Sequence, residues 1–457
     1  MDIVNSYLGE IAAIAGVPNQ QHQIKQITSL LSLDPASNPY IVRFNSINVQ
    51  LEDDQISKAI DAHNIFNDEW LAFNEVVLSF IRLSNQLNPW SSLESFDLYG
   101  TFINDLSVAF NNNNRGYLLS YLVRDSINII LPVARKLDSQ LYIKEHCGRP
   151  RMTYLASILL KIFNNIRSQI NDVNQYKKTI ILYISNKLCS IYFQIDNPLL
   201  CRNIFSNMNN ANLNFKSFSR NEQVQYRYYL AKFYLIKSQV IDSYDHFLWC
   251  LLNCPSSSIN NINHILKYLL PISLIIGKIP NFDYINQVYY RGVPPPAFLP
   301  LYAHLSANIK SGNFKSFNDT VVANYQYLKE NNMLLLLVNK SKVIILRNLV
   351  KKVWINTGRP TNLDYDAVKL GVKLSLGPDI GSLALTLPIV SSVDTLDDDA
   401  VIENIFITII DQNLLKGKIF PRLRKVALSK TGTFPKVDDI NIMKFSSNRK
   451  SDSWMNA

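Results

Sequence analysis

Apolar side chains recur at helical spacing along most of the chain. Between residues 155 and 166, for example, leucine, isoleucine and phenylalanine fall at positions i, i+3, i+4 and i+7, which form one face of a helix. Strand-like alternation is nearly absent before residue 380. Short turn signals separate the helical segments, at 196–198, 311–313, 330–332 and 358–360. This pattern predicts helices stacked as antiparallel pairs.

The pattern divides the chain into four predicted regions. Residues 1–150 form an N-terminal helical region with several amphipathic helices, such as 68–87 and 117–143. Residues 151–340 are predicted to be TPR-like helical repeats without a fixed repeat length, and 226–251 is the clearest two-helix unit. Residues 341–436 are predicted to be a winged-helix subdomain. The polar residues 437–457 are predicted to be a flexible tail.

The winged-helix prediction rests on a change of pattern after residue 340. Helices are predicted over 343–356, 365–376 and 396–415, and the alternating segment 418–431 predicts short strands. Three helices followed by a β-ribbon are the arrangement of a winged helix. The predicted fold class is therefore an all-α, TPR-like helical-repeat α-solenoid capped by a C-terminal winged-helix domain.

The bulk composition limits the class of protein. With 457 residues, 47% of them hydrophobic and 18% charged, the chain can fill a large core. Five cysteines, an odd number, and the absence of a basic and hydrophobic leader indicate a reducing compartment. The longest apolar run, 262–279, is interrupted by Lys267 and Pro271, so we expect a buried helix there and no membrane span.

Catalytic and metal-binding patterns are weak. The 14 glycines form no phosphate-binding loop, and the six histidines include no HExxH pair. Four residues come nearest to a metal cluster, Asp245, His246, Cys250 and Cys254, but their apolar neighbours favour a core helix. We therefore predict a protein that is not an enzyme, with no catalytic residues, no metal, no cofactor and no small-molecule substrate.

The net charge of +10 biases the chain toward polyanions or acidic partners, and it is concentrated near the C-terminus. Residues 416–436 contain seven basic side chains and no acidic one. Such a segment releases counterions when it neutralises phosphates, so we predict nucleic-acid binding with little sequence preference. A solvated basic face, or a docking site for an acidic partner, remains the alternative. The candidate nucleic-acid-binding residues are Lys416, Lys418, Arg422, Arg424, Lys425 and Lys430 in the ribbon, and Arg347, Lys351, Lys352, Lys369 and Lys373 on the first two helices.

An acidic cluster precedes the third predicted helix, at Asp394 and residues 397–399. A divalent-cation site is one interpretation. A helix cap at Asp394 or Thr395, followed by carboxylates that complement the helix dipole, is the simpler one. These carboxylates would oppose insertion of the helix into a DNA groove. We expect Phe420 and Phe434 to pack against this helix.

Two features together resemble the PCI-domain family, whose members are scaffold subunits of the proteasome lid, the signalosome and initiation factor three. They are the helix-turn unit 301–321, with Gly312 and Phe314 at its turn, and the predicted winged helix. Further stretches are similar to the fungal PCI subunits of transcription-and-export complex 2, which couple transcription elongation to mRNA export. These stretches are 131–139, 183–208, 224–240, 346–353 and 403–423. The first hundred residues contribute little to the resemblance.

The resemblance implies a non-catalytic scaffold subunit in the nucleus, associated with the nuclear pore. It implies docking on a large scaffold subunit of the export complex that has its own winged helix. It also implies a small acidic disordered subunit shared with the proteasome lid, and RNA or DNA bound by the paired winged helices. The alternative is a PCI subunit of a signalosome-like or lid-like assembly that does not bind nucleic acid.

Overall fold

The computed structural model describes residues 1–47, 51–145, 148–169, 175–211, 213–377, 398–437, 440 and 452–455. The described residues are 74% helical, and they contain 21 α-helices and one small three-stranded sheet. It divides into two compact units, unit 1 with residues 1–229 and 450–457, and unit 2 with residues 230–449. The predicted fold class, all-α helical repeats with a C-terminal winged helix, is confirmed.

Unit 1 is built from helices joined by short turns. Aromatic side chains fill much of its N-terminal core, where Tyr7 stacks on Phe80 with ring centroids 5.7 Å apart. Farther along, the helix Pro150–Ser168 packs against the helices Ser92–Phe110, Ser120–Glu145 and Ile181–Gln194. The helices are α1 (Asp2–Ile14), α2 (Gln20–Leu31), α3 (Tyr40–Asn45), α4 (Asp53–His63), α5 (Leu71–Gln86), α6 (Ser92–Phe110), α7 (Ser120–Glu145), α8 (Pro150–Ser168), α9 (Gln175–Thr179), α10 (Ile181–Gln194), α11 (Cys201–Asn209) and α12 (Arg220–Ile236), the last of which continues into unit 2.

One described helix, spanning residues 116–144, is long and apolar enough to cross a membrane by length and composition. However, 61% of its most apolar window is buried inside the protein, and it carries Arg124, Asp125 and Arg135. Burial against neighbouring helices accounts for an apolar helix of this kind in a protein core. The run 262–279, predicted to be buried, lies largely in the helix Ile259–Ile275, whose side chains are mostly buried.

Residues near the C-terminus return to unit 1. The Trp454 indole N–H donates to Asn209 Oδ1 at 2.7 Å, and its ring meets Phe215 edge-on at 5.2 Å. The buried Arg227 donates from Nη2 to the Met455 carbonyl oxygen at 3.0 Å. The prediction of a flexible tail therefore does not extend to residues 452–455, because Trp454 supplies an aromatic anchor.

Unit 2 continues with helical hairpins. The hairpin predicted at 226–251 is present, and Ser243 Oγ donates across it to the Ala231 carbonyl oxygen at 2.8 Å. At the turn between the helices Phe298–Ser311 and Phe314–Ala323, Gly312 has φ +71°, and a Cβ there would lie 2.6 Å from the backbone of Leu349, so no larger residue fits. The helices are α13 (Val240–Asn253), α14 (Ile259–Ile275), α15 (Phe282–Tyr289), α16 (Phe298–Ser311), α17 (Phe314–Ala323), α18 (Tyr325–Glu330), α19 (Leu334–Asn356), α20 (Tyr365–Leu376) and α21 (Asp399–Asp411).

The last three helices and the sheet form the winged helix. Its strands are β1 (Asn362–Asp364), β2 (Gly417–Phe420) and β3 (Lys425–Leu428), antiparallel in the order β1-β3-β2. Strand β1 was not predicted, because three residues with one buried side chain, Leu363, are too short to show alternation. Helix α19 begins nine residues before the predicted start at 343, and α21 ends at Asp411 instead of 415.

Candidate nucleic-acid interface

The basic ribbon is a tight hairpin formed by β2 and β3. Residues Pro421–Leu423 form a single 3-10 turn, and Arg424 then adopts the left-handed conformation with φ +52°. This conformation lets the chain reverse within four residues, so that Phe420 pairs with Lys425. The base of the hairpin is held by the Lys416 backbone, whose N–H donates to the Thr433 carbonyl oxygen and whose carbonyl oxygen accepts from Ser429 N–H, both at 2.9 Å.

Arg424 fastens the tip of this hairpin to the helices. Its Nε donates to Asp399 Oδ2 at 2.8 Å, and its Nη2 lies 2.7 Å from Asp366 Oδ1. Asp399 begins α21, and hydrogen bonds from Arg424 and Lys369 lower the pKa of its carboxyl group. Asp398 caps the helix by accepting from the Ala400 N–H at 2.9 Å. The cap is therefore Asp398, whereas the predicted caps Asp394 and Thr395, together with Asp397, lie outside the described residues.

Two of the predicted binding residues are buried and serve the fold. Arg347 donates from Nη2 to the Pro435 carbonyl oxygen at 2.7 Å, and burial lowers the pKa of its guanidinium. Lys369 is buried against Asp399 Oδ1, with Nζ 2.6 Å away. Their prediction as phosphate contacts is corrected, since both side chains are buried and their charged groups are engaged within the fold. The sequence could not reveal this, because Pro435 and Asp399 belong to segments distant from their partners in the chain.

Other predicted residues do reach the surface. Residues 416–436, here called the ribbon segment, contain five exposed lysines and arginines that form no ion pair within the part of the chain that the structure describes. They are Lys416, Lys418, Arg422, Lys430 and Lys436. Arg424 and Lys425 are also exposed, but Lys425 lies 3.4 Å from Asp364 Oδ1, and Arg424 is paired as described. The ribbon thus keeps most of its positive charge available to a ligand.

The predicted residues on α19 and α20 vary more in their exposure to solvent. Lys352 is exposed and Lys351 is half-buried, and both line a cavity of about 600 Å³ together with Lys310 and the buried Arg347. Lys373 on α20 is half-buried. The second basic group is therefore dispersed, and its exposed contribution comes mainly from Lys352.

The two aromatic residues of the ribbon segment behave differently. Phe434 packs on the first helix of the winged helix, with its ring 5.4 Å from that of Trp354. Its expected contact with the third helix stays a prediction. Phe420 at the end of β2 is 44% exposed, so a large part of its ring is accessible to a ligand. An exposed ring among cations can stack on a base.

Exposed apolar residues form a feature that the sequence analysis missed. Leu370 and Leu374 lie four residues apart on α20 and are exposed, the latter by 76%. Val368 and Val372 cover the opposite, buried face. A helix that is apolar on two faces is the signal that could have revealed this pair, since it indicates a second packing partner.

The candidate metal residues do not assemble into a site. No group of three or more histidine, cysteine, aspartate or glutamate side chains is placed to hold a metal ion within the described ranges. His246 and Cys250 are buried on α13, and the imidazole stacks on Tyr234 at 5.6 Å. The core interpretation of this helix fits that packing.

Comparison with known proteins gives relatives over most of the chain. The nuclear mRNA export protein THP1 of Saccharomyces cerevisiae is 27% identical over 404 residues, which cover 83% of this chain and 86% of that protein. A PCI domain-containing protein of Schizosaccharomyces pombe is 29% identical, with 79% of each chain covered. The enhanced ethylene response protein 5 of Arabidopsis thaliana is 23% identical, with 90% of each covered.

No family model matches the chain. The relatives nevertheless agree with the architecture, because several of them carry the PCI domain in their names and unit 2 contains a winged helix. This chain is thus similar to PCI-domain proteins and to the fungal mRNA export protein THP1 over most of its length, which confirms the resemblance drawn from its sequence.

Proposed function

We propose that the chain is a non-catalytic PCI scaffold subunit of a nuclear, transcription-coupled mRNA export complex, and that its winged helix binds RNA or DNA. The name of the THP1 relative supports the role in export and the nuclear location. Association with the nuclear pore is part of the same proposal. In this proposal the chain acts by positioning, because the helical repeats serve as a scaffold that presents the basic ribbon to a transcript.

One observation carries the nucleic-acid part of the proposal, namely the five exposed ribbon cations that lack an ion pair among the described residues. Phosphates that bind them release counterions, which favours association at low salt without selecting a base sequence. The Arg424 ion pairs support the same surface indirectly, because they fix the hairpin to α20 and α21.

The third helix is unsuited to reading a DNA groove. Its N-terminus carries the carboxylates of Asp398 and Asp399, which would approach the phosphates. Arg424 and Lys369 are both engaged by Asp399 and so do not offer their charge to a phosphate at this helix. The proposal therefore assigns contact to the ribbon, with backbone recognition as the dominant mode.

Protein docking is the second part of the proposal. The exposed pair Leu370 and Leu374 offers an apolar contact on α20, which suits a large scaffold subunit with its own winged helix. A small acidic disordered subunit, shared with the proteasome lid, would complement the net positive charge. Binding of either partner requires no catalytic residue in this chain.

The ribbon is tested by neutralising three exposed cations in K416Q/K418Q/R422Q. We expect the Kd for a 20-nucleotide single-stranded RNA, measured by fluorescence anisotropy, to rise roughly tenfold or more. The slope of log K against log salt should become shallower by about 2, since three phosphate contacts are lost. Duplex DNA measured in parallel gives the preference between the two nucleic acids.

The matched control is K25Q/K58Q/K161Q, which removes the same charge from exposed lysines on α2, α4 and α8 of unit 1. An unchanged Kd and salt slope in the ribbon variant, with the fold intact by circular dichroism, would contradict the proposal. So would an equal loss in the control, because it would mean that net charge alone governs binding.

The assembly is tested by copurification from the source cell and identification of the stoichiometric partners. A large winged-helix scaffold subunit and a small acidic subunit are expected. Recovery of signalosome-like or lid-like subunits instead, with no RNA, would favour the alternative assembly. Turnover by the purified chain would contradict a scaffold role.

A further inference from the structure

A second concentration of positive charge lies in unit 1, far along the chain from the winged helix. It consists of four cationic side chains, here called the α7–α10 basic face: Arg124 and Arg135 on α7, Lys187 on α10, and Arg149, which precedes α8 and contacts the end of α10. None of these residues was singled out by the sequence pattern, because they are scattered over 64 positions.

Helical periodicity explains how they meet. Arg124, Asn128 and Arg135 occupy positions i, i+4 and i+11 of α7, which lie on one stripe. Tyr183, Lys187 and Gln194 have the same spacing on α10. Helix α8 packs against both α7 and α10, and so holds the two stripes side by side.

Polar contacts between the stripes fix the geometry at both ends. At one end, the Tyr183 hydroxyl lies 2.7 Å from Asn128 Oδ1. The charged groups of Arg124 and Lys187 lie over the Tyr183 ring, 4.9 and 5.1 Å from its centroid. At the other end, Arg135 Nε donates to Gln194 Oε1 at 2.9 Å, and Arg149 donates to the Gln194 carbonyl oxygen.

The charges on this face are only partly balanced. Arg124 pairs with Glu222 at 3.0 Å, and Asp125 is its neighbour on α7. Arg135, Arg149 and Lys187 form no ion pair with an acidic residue among those the structure describes. The repulsion is felt at Lys187, where burial first, and then Arg135 and Arg124, lower the pKa of the ammonium.

The surroundings decide what kind of ligand suits this face. Protein interfaces have an apolar centre, but no large exposed hydrophobic residue lies on α7 between Tyr121 and Tyr142, or anywhere on the described α10. Arginine forks and a lysine in a row match closely spaced phosphates. The Tyr183 ring is already covered by two cations, so base stacking is not offered there.

We propose that the α7–α10 basic face is a second nucleic-acid contact, which binds the phosphodiester backbone of single-stranded RNA through Arg135, Arg149 and Lys187. Arg124, held by Glu222, is a positioning residue that keeps Tyr183 and Lys187 in place. The site shares no residue with the ribbon, and it would give the complex a second contact with RNA.

The test removes two of the unpaired charges, in R135Q/K187Q, within the ribbon-neutral K416Q/K418Q/R422Q background. We expect the Kd for the 20-nucleotide RNA to rise about fivefold to tenfold further, and the salt slope to fall by about 1.4. The conservative variant R135K/K187R should retain binding. K58Q/K161Q in the same background is the matched control and should change neither quantity.

Each site can fail separately. If the ribbon triple variant binds like the parent chain while R135Q/K187Q weakens binding, the ribbon proposal fails and this one stands. If R135Q/K187Q leaves the Kd and salt slope of the ribbon-neutral chain unchanged, the α7–α10 contact is refuted. A folding defect is recognised by comparing the circular dichroism of R135Q/K187Q with that of the conservative variant.

Acetylation of lysines at pH 8, followed by mass spectrometry, gives a second readout on the unmodified sequence. Bound RNA should protect Lys187 severalfold, and the exposed Lys161 should not change. Protection of Lys187 by polyglutamate but not by RNA would overturn the proposal in favour of an acidic protein segment.

Discussion

The ammonium of Lys177 lies 2.6 Å from the carbonyl oxygen of Phe110, in the interior of unit 1. Phe110 is the last residue of α6, so the lysine caps the C-terminal end of that helix. The same Nζ lies 3.0 Å from the Asn112 carbonyl oxygen and 2.7 Å from Gln169 Oε1. Space for it depends on Gly116, where a Cβ would lie 2.9 Å from Nζ.

Replacement of this buried cation should destabilise the fold. In Lys177→Met, the Phe110 carbonyl group loses this donor, whereas the Asn112 carbonyl group keeps the Gly116 N–H, and we expect the free energy of unfolding to fall by about 2–4 kcal/mol. Urea denaturation measures it. Lys178→Met, one position along the same helix, is the control and should cost less than about 1 kcal/mol. Equal effects of the two substitutions would show that the cap has no special role.

Asp399 should make the stability of the winged helix depend on pH. Its pKa lies below the ordinary value of 3.8 in the folded chain, chiefly through Arg424, so the ionised form contributes stability above about pH 4. That contribution is lost as pH falls through the folded pKa. Asp399→Asn should therefore lower Tm at pH 7, and the difference from the parent should shrink below about pH 4.

Thermal unfolding between pH 3 and pH 7 checks this expectation. Asp61→Asn on α4 is the control, since Asp61 is exposed and forms no ion pair in the described structure. A difference between the Asp399→Asn variant and the parent that stays constant across the pH range would contradict the role of the carboxylate charge.

Trp454 should anchor the C-terminal residues to unit 1. Trp454→Ala removes its contacts with Phe215, Tyr226 and Asn209, and we expect a loss of about 2 kcal/mol in unfolding free energy. Trp90→Ala is a control of the same residue type, because Trp90 is 95% exposed. Chemical denaturation that ranks the two variants equally would argue against a docked tail.

Leu374 should matter for assembly but not for the stability of the isolated chain. Leu374→Asp places a charge on the exposed side of α20, and burial of that charge in an apolar interface is costly. Copurification of the large partner should fall severalfold, with Tm of the purified chain within about 2 °C of the parent. Leu252→Asp, at another exposed leucine, is the control. Undiminished recovery of the partner would show that it docks on a different surface.

Much of the winged helix could be predicted from local pattern. The predicted helix 365–376 coincides with α20, and the segment 418–431, predicted to form short strands, overlaps β2 and contains β3. Strand β1 and the start of α19 were missed, because a three-residue strand and a helix of 23 residues with a weakly one-sided face carry little periodic signal.

The basic residues of the candidate site were predicted from the sequence, but which of their side chains are exposed and which are buried was not. Lys416, Lys418, Arg422 and Lys430 reach solvent, as a polar strand and turn require. Arg347 and Lys369 do not, since their burial depends on Pro435 and Asp399. The α7–α10 basic face had no local signal, because Arg135 and Lys187 are brought together by α8.

The amino-acid sequence by itself determined the helical class, the change to a winged helix and the place where positive charge accumulates, because periodicity and net charge are properties of neighbouring residues. Tertiary structure alone decided which lysine and arginine side chains form ion pairs and which remain available to a ligand. Pairing with Asp399, Asp366 or Asp364 depends on contacts between segments distant in the chain, and only the folded backbone brings those charges within a few ångströms of each other.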